Sequence, residues 1–118
     1  MELKKMKRGD IYFANLDPTV GSEIKKNRPV LIVSNDANNK MASTITIVPI
    51  TSNVERVYPF EVLLDTKDSQ LSKTSKVQCH QIRTISKMRV GARKVGFVSK
   101  PIMSKIDYAI KVHLAIVD

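Results

Sequence analysis

The sequence predicts a mainly β fold: a small, strongly bent β-barrel closed by one C-terminal α-helix, with short helical turns in its loops. Two observations support this class. Short runs rich in β-branched and aromatic residues follow one another, separated by polar, Gly and Pro residues. Only near the end of the chain does the spacing of apolar residues change to that of a helix. The length of 118 residues suits one core, so we expect a single domain over residues 1–118.

Six strands are predicted, either from alternating side chains or from buried apolar runs. The segments are GDIYFAN at 9–15, RPVLIVS at 28–34, STITIVPIT at 43–51, PFEVLLD at 59–65, KVQCHQIRTI at 76–85 and KVGFVS at 94–99. A loop at 16–27 is longer than a hairpin needs, and long ordered loops often carry function. We expect a helical turn within 35–40 and another within 66–75.

The C-terminal segment is predicted to form the helix. Its stripe at helical spacing consists of Ile102, Ile106, Ala109, Ile110, His113 and Val117. Pro101 suits the first turn of a helix, and Ser99 could cap it. Because His113 shares this stripe, we expect it to be packed against the core or in an interface.

The net charge of +9 and the pI near 9.9 favour polyanionic partners, either a nucleic acid or an acidic protein. We expect no membrane association, since no apolar run approaches the ~20 residues of a membrane span and the N-terminus lacks an apolar segment. The single Cys79 cannot form an internal disulfide, which suits the reducing cytoplasm. One cysteine and two histidines also argue against a structural zinc site, so we expect no metal.

Common catalytic motifs are absent from the sequence, including the P-loop, the Rossmann glycines, the nucleophile elbow and HExxH. His80 and His113 could form an acid and base pair for RNA cleavage. A packed or interface position for His113 and a partner-facing strand position for His80 are the simpler interpretations. Composition and spacing alone therefore indicate a basic, cytoplasmic β-domain.

Five segments, in order, extend this interpretation: KRGDIYFANLDP, GSE, RPVLIVSND, VPITS and QIRTI. Their order and spacing resemble the MazF/PemK toxins of toxin–antitoxin systems, over almost the whole chain from Lys7. The resemblance implies an SH3-like barrel and a homodimeric endoribonuclease that cuts single-stranded RNA within short sequences, without a metal or cofactor. It also implies an acidic antitoxin protein whose tail fills a groove shared by the two subunits.

The resemblance assigns the catalytic arginine to Arg28, the catalytic threonine to Thr51 and the acidic loop residue to Glu23. The residues expected to bind RNA are Ser22, Lys25, Lys26, Ser52, Ser75, His80 and Gln81. The chain departs from the family pattern at Ile24, commonly Gln, and at His80, commonly acidic. Both departures concern the recognition sequence rather than the arginine and threonine.

These residue types suit RNA cleavage because RNA supplies its own nucleophile, the 2′-hydroxyl. A guanidinium at Arg28 offers a permanent charge and a donor fork that fits phosphate oxygens. Thr51 could donate a hydrogen bond to the same phosphate. Arg28 is plausible as general acid, whereas its pKa above ~12 leaves Glu23 as an alternative base, or as the partner that orients Arg28. An ordinary ion pair between Arg28 and Glu23 is the structural alternative.

Two other functions stay open. A related toxin branch with the same fold poisons DNA gyrase without cleaving RNA, and a non-catalytic nucleic-acid-binding barrel would also carry positive charge. Neither needs both Arg28 and Thr51, so their presence favours the nuclease.

Overall fold

The computed structural model describes residues 5–23 and 27–116, and these ranges form seven β-strands and three α-helices. The strands are β1 (Asp10–Asn15), β2 (Asn27–Ile32), β3 (Thr44–Thr51), β4 (Glu61–Leu64), β5 (Ser75–Gln78), β6 (Arg83–Ser86) and β7 (Val90–Phe97), and the helices are α1 (Asp36–Met41), α2 (Thr66–Ser69) and α3 (Lys100–His113). Short 3₁₀ turns precede β6 and β7, at Cys79–Gln81 and Lys87–Arg89. The two expected helical turns are therefore confirmed as α1 and α2.

The strands form one bent antiparallel sheet in the order β4-β5-β3-β2-β1-β7, and β6 also pairs with β3. The central strand β3 pairs with β2 along one edge. Along its other edge it pairs with β5 at its C-terminal end and with β6 at its N-terminal end. The mainly β class with a C-terminal helix is confirmed. Among the strand pairs that the structure describes, β4 and β7 do not join, so the bent sheet is not closed into a ring.

Alternating side chains of the sheet build two apolar clusters. Leu31 and Val48 lie opposite each other in β2 and β3 and belong to the cluster that packs against α3, where Ile106 is fully buried. The neighbouring positions Val30 and Ile47 belong to the second cluster. Side chains at successive strand positions face opposite sides. Both faces of β2 and β3 are therefore buried along their middle, and only their ends are left to line surface grooves.

The prediction of one continuous strand at 76–85 is wrong. The segment forms β5, then the 3₁₀ turn Cys79–Gln81, then β6. His80 and Gln81 consequently lie in a turn and not in a strand. We call this three-residue segment the recognition turn because it contains His80 and Gln81, two of the residues expected to bind RNA.

The register of β3 explains the interruption. Ile50 lies opposite Val77, whereas Ile47 lies opposite Arg83. Three steps along β3 are thus matched by six steps along the partner segment, and the additional three residues form the recognition turn. Pro49, which lies in this interval, has no N–H to donate to a neighbouring strand. The break in pairing is therefore a consequence of register and of proline.

Two other expectations about the C-terminal part are corrected. The last strand begins at Val90 rather than Lys94, because positions 91–94 are exposed and polar or small and therefore hide the pattern of a strand. His113 is exposed, so the packed position expected for it is wrong, whereas the interface position stays a prediction. Helix α3 starts as expected, with Ser99 at the N-cap position and Pro101 in its first turn, but the Ser99 side chain makes no capping hydrogen bond. None of the helices in residues 5–23 and 27–116 is long and apolar enough to cross a membrane.

Close packing of β7 against α2 yields a stability prediction. A Cβ atom added at Gly96 would lie 2.0 Å from the carbonyl oxygen of Ser69, whereas one added at Gly91 would lie 3.3 Å from the carbonyl oxygen of Phe13. We expect Gly96→Ala to lower the free energy of unfolding by ~2 kcal/mol or more, since backbone must shift to relieve the overlap. Gly91→Ala is the matched control in the same strand and should change it by less than ~1 kcal/mol. Urea unfolding monitored by circular dichroism measures both, and equal midpoints for the two variants would contradict the prediction.

Candidate active site

A groove of about 350 Å³ gathers three of the predicted site residues, Arg28, Ser52 and Ser75. We call it the arginine groove. Arg28 is the second residue of β2 and is half-buried, and Ser52 directly follows β3. Phe13 of β1 and Lys73 of the loop before β5 also line the groove. This site thus combines one half-buried arginine, one exposed lysine and an exposed aromatic ring.

Thr51 ends β3 and is 9% exposed. The register between β2 and β3 pairs Val30 with Pro49, and continuing it by two residues aligns Arg28 with Thr51. The Thr51 hydroxyl oxygen accepts a hydrogen bond from the backbone N–H of Asn53 at 3.2 Å. A hydroxyl that accepts one bond still has its own hydrogen to donate. The threonine therefore caps the turn after β3 and retains a donor.

A buried ion pair anchors the chain that follows Thr51. Lys76, which lies opposite Thr51 in β5, donates from Nζ to Glu61 Oε1 at 3.0 Å and to the Arg56 carbonyl oxygen at 2.5 Å. The same Glu61 oxygen accepts from the Tyr58 N–H at 3.0 Å. Both charged side chains are at least nine-tenths buried, and removal of either partner would leave the other charge uncompensated. The pair holds the loop between β3 and β4 onto β5.

A second groove, of about 120 Å³, gathers three other predicted residues, Glu23, His80 and Gln81. We call it the histidine groove. The Glu23 Oε1 atom accepts the Val20 N–H at 2.6 Å, so one carboxylate oxygen closes the loop on itself. Pro49 of β3 also lines this groove, whereas its neighbour Ile50 lines the arginine groove. The two grooves are therefore separated by β3.

His80 lies in an apolar and cationic setting. Its ring packs edge-on against Phe60 at 4.4 Å between centroids and stands 6.3 Å from the ring of His113. Burial lowers the pKa of His80, the Glu61 carboxylate partly opposes this, and His113 and Lys76 lower it further. Its Nδ1 atom is buried and has no hydrogen-bond partner within the described part of the chain. His80 is consequently a neutral ring at pH 7.

The remaining predicted residues are placed differently. Ser22 is exposed in the loop before Glu23. The Ser75 hydroxyl is buried and donates to the Lys73 carbonyl oxygen at 2.9 Å. Lys25 and Lys26 lie outside the described residues. In residues 5–23 and 27–116, no three His, Cys, Asp or Glu side chains are grouped so that they could hold a metal ion.

Among the groove residues that sequence reasoning missed, three carry a charge or an aromatic ring. Phe13 and Lys73 line the arginine groove, and Arg83 lines the histidine groove. Phe13 is 39% exposed, although its position in an apolar strand suggested the core. Arg83 lies within the QIRTI motif, which was the available signal.

Comparison with known proteins agrees with this architecture. Residues 7–114 match the sequence model of the family described as "PemK-like, MazF-like toxin of type II toxin-antitoxin system". The chain is 43% identical over 114 residues to "Endoribonuclease MazF9" of Mycobacterium tuberculosis, covering 92% of this chain and 96% of the relative. It is 38% identical over 114 residues to "Endoribonuclease EndoA" of Bacillus subtilis, covering 96% and 97%.

A solved structure shares the fold. It is described as "Endoribonuclease in complex with its cognate antitoxin from Mycobacterial species" and superposes with a TM-score of 0.79 at 28% identity, covering 96% of this chain and 98% of that one. The family match spans most of the sequence, and both curated relatives exceed 30% identity over more than nine-tenths of it. The chain therefore belongs to the PemK-like, MazF-like toxins of type II toxin–antitoxin systems.

Proposed function

We propose that this chain is a sequence-specific, metal-independent endoribonuclease that cleaves single-stranded RNA through attack of the RNA's own 2′-hydroxyl. The observation that carries the proposal is the arginine groove, in which Arg28 of β2 and Ser75 of β5 lie with Ser52, the residue that follows Thr51. Family membership and relatives named as endoribonucleases support the reaction class. The 2′-oxygen bonds to phosphorus, the bond to the 5′-oxygen breaks, and the products carry a 2′,3′-cyclic phosphate and a 5′-hydroxyl.

Arg28 stabilises the charge that builds on phosphorus during this step. Its backbone is fixed in β2 and the residue is half-buried, which restricts where the guanidinium can lie before the RNA binds. A preorganised donor of this kind is typically worth ~3 kcal/mol of transition-state stabilisation. Arg28 also supplies a proton to the leaving 5′-oxygen. The remaining hydroxyl hydrogen of Thr51 donates to a phosphate oxygen.

Glu23 accepts the proton from the 2′-hydroxyl in this proposal, because a guanidinium loses its proton only above about pH 12. Since Arg28 and Glu23 line different grooves, this role requires the cleaved nucleotide to bridge the two grooves across β3. One of its carboxylate oxygens is held by the Val20 N–H, which fixes the side chain and leaves the second oxygen to act. Its neighbours His80 and Gln81 contact the bases that flank the cut, together with Ser22. Ser52, Ser75, Lys25 and Lys26 contact the RNA backbone.

The proposal includes two protein partners, a second copy of the chain and an acidic antitoxin. Leu63 of β4 and Tyr108 and Val112 of α3 are 51%, 60% and 41% exposed, and they form an apolar surface suited to a homodimer. The net charge of +9 suits an acidic inhibitor segment that competes with RNA. A relative that was solved together with its cognate antitoxin supports this regulation.

The first prediction tests the nucleophile. The preferred sequence is first obtained by cleavage of a randomised RNA pool with EDTA present. A substrate carrying one 2′-deoxy nucleotide 5′ of that cut should bind with nearly unchanged affinity but should not be cleaved there. The all-ribose substrate should give 2′,3′-cyclic phosphate and 5′-hydroxyl ends, identified by mass spectrometry.

Cleavage at the deoxy-substituted site at a normal rate would rule out the internal nucleophile. Activity that disappears in EDTA and returns with a divalent cation would rule out metal independence. Absence of RNA cleavage together with inhibition of DNA supercoiling by gyrase would instead support the gyrase-poison alternative.

The second prediction concerns Arg28 and Thr51. Arg28→Ala should reduce the cleavage rate by at least ~10²-fold, because one charged donor to the transition state is lost. Arg28→Lys should restore only part of it, since an ammonium lacks the donor fork. Thr51→Ala should lower kcat while leaving binding of the deoxy substrate nearly unchanged. Single-turnover cleavage and fluorescence anisotropy measure the two quantities.

Arg93→Ala is the matched control for these variants, because Arg93 is exposed in β7 and lies outside the residues lining either groove. It removes the same charge and should change the cleavage rate by less than about twofold. Equal losses for Arg28→Ala and Arg93→Ala would mean that only overall charge matters.

The third prediction follows from the lowered pKa of His80. The ring is neutral at pH 7 and takes a proton only as the pH falls below its ordinary pKa of 6.5. Because the folded state opposes protonation of His80, the free energy of unfolding should also decrease as the pH falls below 6.5. Base preference at the cut should therefore stay constant from about pH 7 to 8 and change only below the ordinary histidine pKa of 6.5.

Cut-site profiles on a randomised RNA pool measure this preference. His80→Gln, which has no charge at any pH, should show the same profile at both ends of the range. A pH-dependent change that persists in His80→Gln would show that another group is responsible.

A further inference from the structure

Within the part of the chain that the structure describes, one permanent cation lines the histidine groove. Of its lining residues, Glu23 is an anion, Gln81 is a neutral amide, and Pro49 and Ile82 are apolar. His80 is neutral at pH 7 because burial lowers its pKa. Among the residues in 5–23 and 27–116 that line this groove, Arg83 supplies the only positive charge. A nucleotide bound here brings a phosphate as well as a base, and a carboxylate repels that phosphate.

Arg83 links the recognition turn to the loop that leads to Glu23. It is the first residue of β6, immediately after the recognition turn and Ile82. Its Nη1 atom donates to the carbonyl oxygen of Leu16 at 3.3 Å, at the start of the loop that leads to Glu23. Leu16 itself is fully buried, so the guanidinium is anchored to a fixed point of the backbone.

Arg83 forms no ion pair with a carboxylate within residues 5–23 and 27–116, although Glu23 lines the same groove. Lys76 pairs with Glu61, Arg8 with Asp107 and Lys94 with Asp10, whereas Arg83 has only its bond to Leu16. A guanidinium has five N–H donors, so one such bond leaves most of its donors for a ligand. A half-buried guanidinium of this kind favours a ligand that is anionic and has several acceptors, as a phosphate does.

We propose that Arg83 binds a backbone phosphate of the RNA in the histidine groove, while the neighbouring Glu23, His80 and Gln81 contact the base. The inference rests on the proposed endoribonuclease function and adds a contact for this arginine. Phosphate contacts fix the register of a nucleic acid and carry no direct sequence information. Arg83 should therefore set affinity and position, and not base preference.

Arg89 offers a matched control. Its Nη1 atom donates to the carbonyl oxygens of Asn15 and Asp17, which flank the Leu16 carbonyl that Arg83 contacts. Arg89 supports the same stretch of loop but lies outside the residues that line the histidine groove. Arg83→Gln and Arg89→Gln thus remove the same charge and a similar backbone contact, and only the first should remove a phosphate contact.

The experiment measures binding of the single-stranded RNA that carries a 2′-deoxy nucleotide at the cleavage site, by fluorescence anisotropy over a range of salt concentrations. Arg83→Gln should weaken binding about tenfold, the usual size for one charged hydrogen-bonded contact. The slope of log affinity against log salt should become less steep by about 0.7, the value for one phosphate on a single strand. Arg89→Gln should keep the wild-type slope, and both variants should keep the wild-type cut-site profile.

Three results would overturn the proposal. An unchanged salt slope with relaxed base preference in Arg83→Gln would mean that Arg83 contacts a base. Equal losses of affinity in Arg83→Gln and Arg89→Gln, with unchanged slopes, would mean that both residues only support the loop. A reduction of the salt slope by the same amount in both variants would mean that the two charges act on the RNA at long range.

Failure of the underlying function is distinguishable, because in that case the wild-type protein cleaves none of the randomised RNA pool. If thermal unfolding shows that Arg83→Gln does not fold, Arg83→Lys takes its place, since lysine keeps the charge and can reach Leu16. It should retain the wild-type salt slope but bind several-fold more weakly, because the donor fork is lost. Wild-type affinity in Arg83→Lys would overturn the proposal.

Discussion

The pairing of β3 along both of its edges is the constraint on which the rest of the structure depends. Its middle is buried on both faces, so that Leu31 and Val48 pack with α3 while Val30 and Ile47 pack in the second cluster. The difference in register along one edge produces the recognition turn. Hydrogen bonding of the strand therefore determines both the apolar clusters and the separation of the arginine groove from the histidine groove.

The cationic side chains fall into two groups: those buried in the fold, and those that line a surface groove. Lys76 is buried and serves the fold, because its ammonium donates to Glu61 and to the Arg56 carbonyl oxygen and so holds the loop after Thr51. Arg28 lies at the start of β2, where the backbone is fixed and the side chain reaches a groove. The net charge of +9 cannot distinguish these two roles. The burial of each cationic side chain and the groups that it contacts decide which role it has.

Much of the architecture was predictable from local pattern. The apolar runs located β1 to β4 to within a few residues, and helical spacing located α3. The segment 76–85 was not predictable as two strands, because its continuous β-forming composition contains no break of its own. The break arises in the partner strand, where the steps between Ile47 and Ile50 are fewer than those between Arg83 and Val77. This mismatch between two paired segments is a non-local effect, and it cannot be inferred from the sequence of either segment alone.

The sequence by itself determined the fold class, the family motifs and the residue types of the candidate site, because strand periodicity and side-chain chemistry are local properties. Only the tertiary structure decided which of those residues meet. It brought Ser52 and Ser75 to Arg28, and it grouped Glu23 with the recognition turn. It also placed Arg83 between the walls of the second groove. These residues come from distant parts of the chain, and their proximity depends on strand register and burial. Both are interactions between segments, so the sequence of a single segment does not predict them.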